Sequence, residues 1–192
     1  KWGGRLLTHN FFPPSKDPNF FINLASDDEN LRKKSVNFVK KCLDVADELG
    51  AEIYTIHPGF LAKPIQASYR NSNSYDIKFS NHNIPHEVAF TNMFKSLNII
   101  TEYGNRRNVL LALGTEGSLT KPGVCLMEDV VEYDRLYSEF GNAIHLNINL
   151  AHTRFAAKTH GYLLTEFINR YRDWIVAAEI SHNDGFSDQH KP

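Results

Sequence analysis

The feature that most constrains this chain is a regular alternation. Short β-branched or apolar runs alternate with longer segments of helical period, and each run stops at a polar residue. Ile53-Tyr54-Thr55-Ile56 stops at His57-Pro58-Gly59. Val109-Leu110-Leu111-Ala112-Leu113 is apolar throughout, as a strand covered on both faces must be, and stops at Gly114-Thr115-Glu116-Gly117. Arg5-Leu6-Leu7-Thr8-His9 begins the series, Ala143 to Ile148 runs into Asn149-Leu150-Ala151-His152, and Trp174 to Ile180 runs into Ser181-His182-Asn183-Asp184-Gly185. Between the runs, Leu31, Val39, Cys42, Leu43, Ala46 and Leu49 recur on one helical face behind Ser26-Asp27-Asp28-Glu29. That tetrad has the pattern of a capping box with Ser26 as the cap, so a helix is expected from Asp27 to Leu49, with Gly50 as its stop. A second helix is expected from Pro85 to Tyr103, with Ala89, Met93, Leu97 and Ile100 on one face and Pro85 in its first turn. A third is expected from Met127 to Phe140, and a further helical stretch within Thr159 to Tyr171. The Asn- and Ser-rich segment Ala62 to His82 is long for a connection and reads as a lid over a site or as a surface insertion.

Five such runs separated by helices imply a parallel sheet with helical cover. The polar stops then fall together at the carboxyl ends of the strands: His9, His57, Glu116, Asn149 with His152, and the Glu179 to His190 segment. A (β/α)8 barrel builds its site from those ends. An open doubly wound sheet also binds ligand there, but no Gly-rich phosphate loop follows the first strand, which weakens that reading. Composition narrows the function. With 21 Lys+Arg against 22 Asp+Glu the formal net charge is -1, which leaves no basic footprint for nucleic acid. Two cysteines, Cys42 and Cys125, exclude a disulfide scaffold and a cysteine-rich zinc module. No apolar run reaches the ~18 residues of a membrane span, so the expectation is a cytoplasmic protein with no membrane partner. The nine histidines supply acid/base groups and neutral metal ligands.

Five stretches, in order along the chain, resemble the xylose isomerase-like TIM-barrel superfamily, which holds sugar phosphate isomerases and epimerases and, related to them, the endonuclease IV group. They are Thr8-His9-Asn10 with its Pro-rich loop, Tyr54-Thr55-Ile56-His57-Pro58-Gly59, the Glu116 strand end, Asn147-Ile148-Asn149-Leu150-Ala151-His152, and His182-Asn183-Asp184-Gly185-Phe186-Ser187-Asp188-Gln189-His190. The resemblance implies one domain over residues 1–192, an α/β (β/α)8 TIM barrel that is partial at both ends. It implies a divalent metal, Mn, Zn, Mg or Co, at the barrel mouth. Glu116 matches a metal-binding Glu that also moves a proton in the epimerase-like members. His57 and His9 match histidines that add metals in the nuclease branch, and Asp188 and His190 match its Asp-x-His pair. Asn149 stands where an Asp ligand is expected, with His152 three residues on. Glu179 stands near the place of a metal-binding His, a role that His182 can take instead. The implied catalytic residues are Glu116 and His57, and the implied metal set is Glu116, Asn149, His152, Glu179, His182, Asp188, His190 and His9.

Each of these residues also has a plain structural reading: Glu116 as a loop or cap residue, His57 as a turn bond, His152 as a cap, Asp188 and His190 as solvated loop. His82, His86 and His160 read as surface or helix-end residues and His145 as structural. Three functions follow. The first is a metal-dependent sugar or sugar phosphate isomerase or epimerase moving a proton beside a carbonyl, with a small-molecule sugar as partner. The second is an endonuclease IV-type phosphodiesterase on abasic DNA. The third is a non-catalytic barrel, motivated by Asn149 and Glu179. Length sharpens the fold: a complete barrel typically needs about 250 residues, and this chain has 192. About five βα units are therefore expected, and the open sheet edges of an incomplete barrel favour association into a homo-oligomer.

Overall fold

The computed structural model describes residues 4–10, 12–17, 19–71, 74–117 and 123–182. In chain order the elements are β1 (Leu7–His9), α1 (Glu29–Glu48), β2 (Ile53–Ile56), β3 (Ala62–Asn71), β4 (Ser74–Asn83), α2 (His86–Gly104), β5 (Leu110–Gly114), α3 (Val130–Phe140), a 3-10 turn (Gly141–Ala143), β6 (His145–Asn149), α4 (Leu150–His160), α5 (Leu164–Tyr171) and β7 (Ile175–Glu179). β1, β2, β5, β6 and β7 form one parallel sheet in that spatial order. The five expected runs are thus the five strands of a parallel half-barrel, and all their carboxyl ends point the same way.

Side-chain alternation divides the sheet. Tyr54 and Ile56, Leu111 and Leu113, and Leu146 and Ile148 lie in the main hydrophobic core. That core also contains Val39, Leu43 and Ala46 of α1, Met93 and Leu97 of α2, and Leu136 of α3. The residues between them, Thr55, Ala112 and Asn147, are absent from that core and face the other way, toward the barrel axis. Apolar burial at about 25 cal/mol per Å2 drives the helical layer onto this outer face. Among the described residues, no helix is long and apolar enough to cross a membrane.

Two expectations need correction. The cap of α1 is Asp28, whose carboxylate accepts from the Asn30 and Leu31 amides, while buried Ser26 turns one step earlier and accepts from the Asp28 amide. The helix with a true capping box is α3, where the Asp129 side chain caps the first turn and Glu132 reaches back; Met127, expected inside that helix, has φ 63 and lies before it. The segment Ala62 to His82, expected as a lid or a surface insertion, is built as an antiparallel hairpin of β3 and β4, in which Tyr75, Ile77 and Phe79 alternate with polar residues at strand period. The helical stretch expected within Thr159 to Tyr171 is α5 (Leu164–Tyr171), and Gly161, with φ 77, closes the separate helix α4 before it.

Candidate functional site

The geometry at the carboxyl ends begins with loop packing. Gly59 has φ 123, and a Cβ there would come within 2.5 Å of Asn23 Oδ1. Only glycine lets the His57-Pro58-Gly59 turn approach Asn23 so closely. Asn23 Oδ1 accepts from the Ala25 and Phe60 amides and its Nδ2 donates to the Phe60 carbonyl, so the loop that carries His57 is pinned to the loop that enters α1. On the other side, Thr115 ties β5 to β6. Its Oγ1 accepts from the Asn149 amide at 2.8 Å and bonds Thr153 Oγ1 at 2.7 Å.

Four of the expected residues meet at this mouth as two imidazole–carboxylate pairs. Glu116 is 4% exposed, and its Oε1 is bonded to His57 Nδ1. His9 Nε2 lies 3.3 Å from Glu179 Oε1. The pairs abut, with the His9 and His57 rings edge-on at 5.2 Å between centroids. His152 lies against Glu116 from the third side, with Nδ1 4.0 Å from Glu116 Oε2 and 3.2 Å from the Thr115 carbonyl. Gly117 permits this approach, since a Cβ there would lie 2.6 Å from the His152 carbonyl oxygen.

Asn149 has two duties. Its Oδ1 caps α4 by accepting from the Ala151 and His152 amides, and its Nδ2 donates to Glu179 Oε2 at 3.2 Å. Asn147, two residues earlier and therefore on the same face of β6, donates through Nδ2 to Glu179 Oε1 at 2.6 Å. Glu179 thus receives an amide on each oxygen besides its histidine. The His9 hydrogen bond is the main cause that holds the Glu179 carboxyl down to about 2; burial opposes it, and the His9 charge and Asn147 add to it. His9 moves the opposite way. Burial alone would lower it, but the bond to Glu179 and the charges of Glu179 and Glu116 together raise it. Asn147 joins the site in addition to the residues expected there. Its signal was there: an Asn-x-Asn pair at strand period places both amides on one face.

His182 lies exposed just beyond β7, and Asp188 and His190 lie outside the described residues. The expected cation can be tested against what the ring offers. Its donors are of the right chemistry, carboxylate oxygen and imidazole nitrogen. Their arrangement is not that of a cage. Glu116 and Glu179 are turned to imidazoles, the Asn149 oxygen is turned into the helix cap, and among the described residues no group of three or more His, Cys, Asp or Glu is disposed to hold a metal ion. As disposed, these side chains do not fit a bound cation.

The fold and mouth together define a parallel βα half-barrel with acid/base side chains gathered at its carboxyl ends. Residues 3–192 match the family described as xylose isomerase-like TIM barrel, and the chain belongs to that family. Among solved structures it is similar to a D-tagatose 3-epimerase-like protein, at 18% identity and TM-score 0.68, covering 98% of this chain and 60% of that one. It is similar to 3-keto-D-glucoside 4-epimerase from E. coli, at 12% identity and TM-score 0.60, covering 84% and 55%. It is also similar to a D-psicose 3-epimerase determined in the presence of D-fructose, at 13% identity and TM-score 0.62, covering 86% and 50%. At these identities the likeness is one of fold, and the chain spans only half to three-fifths of those chains. No protein of curated function matches it significantly.

Proposed function

We propose that this chain carries the proton-transfer site of a sugar isomerase or epimerase. The observation that carries the reading is the pair of imidazole–carboxylate couples abutting at one barrel mouth. The sugar-epimerase titles of the similar structures support it. Isomerisation or epimerisation beside a carbonyl needs a base to remove a carbon-bound proton and an acid to return one, from the other face in an epimerisation. Glu116, buried and bonded to His57, is placed to take the proton, and His57 shares it. His9, oriented by Glu179, faces that pair and is placed to hydrogen-bond the carbonyl oxygen, where negative charge develops; in an isomerisation the proton held by the Glu116–His57 couple returns to the neighbouring carbon as that oxygen charge moves on, and in an epimerisation the His9–Glu179 couple returns one to the same carbon from its own side. Asn147 and Asn149 fix Glu179 so that His9 keeps its aim.

Small-molecule sugar is the partner this chemistry asks for. The described side chains carry the proton movements themselves; a divalent cation would add charge stabilisation at adjacent sugar oxygens. Its binding is read separately, by metal analysis of the purified full-length protein and by thermal shift with Mn2+, Zn2+, Mg2+ and Co2+. The test of the function is turnover of a ketose and aldose panel by the full-length protein. Interconversion lost in Glu116→Gln supports the reading, and full activity in that variant overturns the role of Glu116.

A further inference from the structure

The outer helical layer carries a charge pattern that the sugar chemistry does not use. A groove runs between α1 and α2 as two cavities that meet at Lys40 and Ile99. The smaller, about 260 Å3, is lined by Arg32, Lys33 and Lys40 and by no carboxylate. The larger, about 700 Å3, is lined by Asp44, Asp47, Glu48 and Glu102 with Arg106 and Arg107. Asp44 and Arg107 neutralise each other, with Arg107 Nε donating to Asp44 Oδ1 at 2.8 Å and the guanidinium stacked 3.6 Å from the Tyr103 ring centroid. That leaves Asp47, Glu48 and Glu102 against Arg106, so one end of the groove is basic and the other acidic. Beyond Glu29 in its first turn, α1 thus carries its cations early and ends on carboxylates, with no basic residue in its last turn. This order runs against the helix dipole, which favours bases at the C-terminus. The pattern gains nothing for α1 alone and is satisfied by a surface that presents the reverse order.

We propose that the α1–α2 face is an isologous interface between two copies of this chain, docked antiparallel about a two-fold axis at Ile99. A second copy turned about that axis presents the reverse charge order. Arg32 and Lys33 of each copy then face Asp47, Glu48 and Glu102 of the other, and every attraction is made twice. Ile99, 41% exposed, meets its own symmetry mate at the centre and leaves water. The area is sufficient. α1 and α2 have 20 and 19 residues, which is about 30 Å of length, and two helices side by side are roughly 20 Å wide. Such a face buries about 600 Å2 per copy, or roughly 1,200 Å2 in all, the lower bound of specific interfaces. A nucleic acid or an anionic membrane is repelled by the acidic end, whereas a second copy satisfies both ends.

The test is sedimentation equilibrium of the full-length protein over a micromolar concentration series, at low and at high salt. A dimer is expected whose Kd rises with salt. Lys33→Glu with Lys40→Glu makes the face acidic at both ends, and Glu48→Lys with Glu102→Lys makes it basic at both ends. Each double variant alone is expected to weaken the dimer about a hundredfold, since every reversal acts twice across the axis. An equimolar mixture of the two is expected to associate again, because an acidic face then meets a basic one. Lys33, Glu48 and Glu102 are exposed and Lys40 half-buried, so both variants are expected to melt near the wild type. Ile99→Ala changes no charge and is expected to weaken the dimer at low and high salt alike. A wild type that stays monomeric throughout the series overturns the interface, whatever else binds the face. So does a dimer unchanged in both double variants, or a mixture of the two folded variants that fails to associate. The sugar reading stands or falls separately, because none of these residues belongs to the mouth.

Discussion

Asn149→Asp probes the mouth most sharply, because it alters one atom and leaves the helix cap in place. Asp caps helices as well as Asn does, so the bonds from the Ala151 and His152 amides survive. The change falls on the other branch of the side chain, where Nδ2 donates to Glu179 Oε2 at 3.2 Å. A hydrogen bond to a charged group, worth about 1.5–3 kcal/mol, is lost. Two carboxylates are then brought together, and at ~4 Å with an effective dielectric of ~20 they repel by about 4 kcal/mol. The Glu179 side chain is 41% exposed, so solvent screening and side-chain movement cut that repulsion substantially. A net loss of about 2–4 kcal/mol results, or roughly 4–16 °C in Tm at 2–4 °C per kcal/mol for a chain of this size. The assay is thermal unfolding of the full-length protein in chelator, followed by Mn2+ or Zn2+ titration. The variant is expected to melt lower in chelator and to regain stability with cation, since two facing carboxylates suit a divalent ion and ligand binding to the folded state stabilises it. The wild type, whose amide faces Glu179, is expected to respond less. An unchanged melting temperature in chelator would refute the Asn149–Glu179 contact and the placement of Glu179 built on it.

Other expectations concern stability and packing. His86 is raised by its hydrogen bond to Glu132, burial opposing; Glu132 is lowered because that bond and three backbone amides outweigh its burial. The histidine's contribution is full below its ordinary 6.5 and is lost as pH rises through its elevated folded value, and the carboxylate's is present above its ordinary 4.5 and fades as pH falls. The melting difference between wild type and His86→Ala should therefore peak in mildly acidic buffer and shrink in alkaline buffer; a pH-independent difference contradicts the pair. Leu43→Ala, at a fully buried position of α1, should cost about 2–5 kcal/mol in denaturant unfolding. Gly117→Ala drives a Cβ to 2.6 Å from the His152 carbonyl oxygen and should lower both Tm and turnover, with a cost of about 1–3 kcal/mol; wild-type behaviour would mean the two loops are not in contact.

How much of this was legible from residues alone depends on what each signal measures. Val109 to Leu113 announced a strand buried on both faces, which holds from Leu111 onward while Leu110 at its start is 43% exposed, and the polar stops after each apolar run located the mouth, because both follow from local sequence. The hairpin β3–β4 was missed although Tyr75, Ile77 and Phe79 alternate, since the Asn- and Ser-rich composition around them outweighed a short period-two signal. The helix α4, Leu150–His160, was not expected, because Asn149-Leu150-Ala151-His152 reads first as the polar end of a strand. The mutual pairing of His57 with Glu116 and of His9 with Glu179 was not legible. It depends on strand register across four neighbours, which no local pattern encodes. The same is true of Asn147, whose importance lies in a partner 32 residues away, and of Asn149, which read as a weakened metal ligand and is also a helix cap.

The central claim is that Glu116 removes a carbon-bound proton beside a carbonyl. Incubating the full-length protein with D-tagatose, D-fructose and D-psicose in D2O, and following deuterium at the carbons flanking the carbonyl by NMR, tests it directly. The account predicts deuterium incorporation into at least one ketose and its disappearance in Glu116→Gln. Incorporation that persists undiminished in Glu116→Gln, or none into any ketose by the wild type, would contradict it.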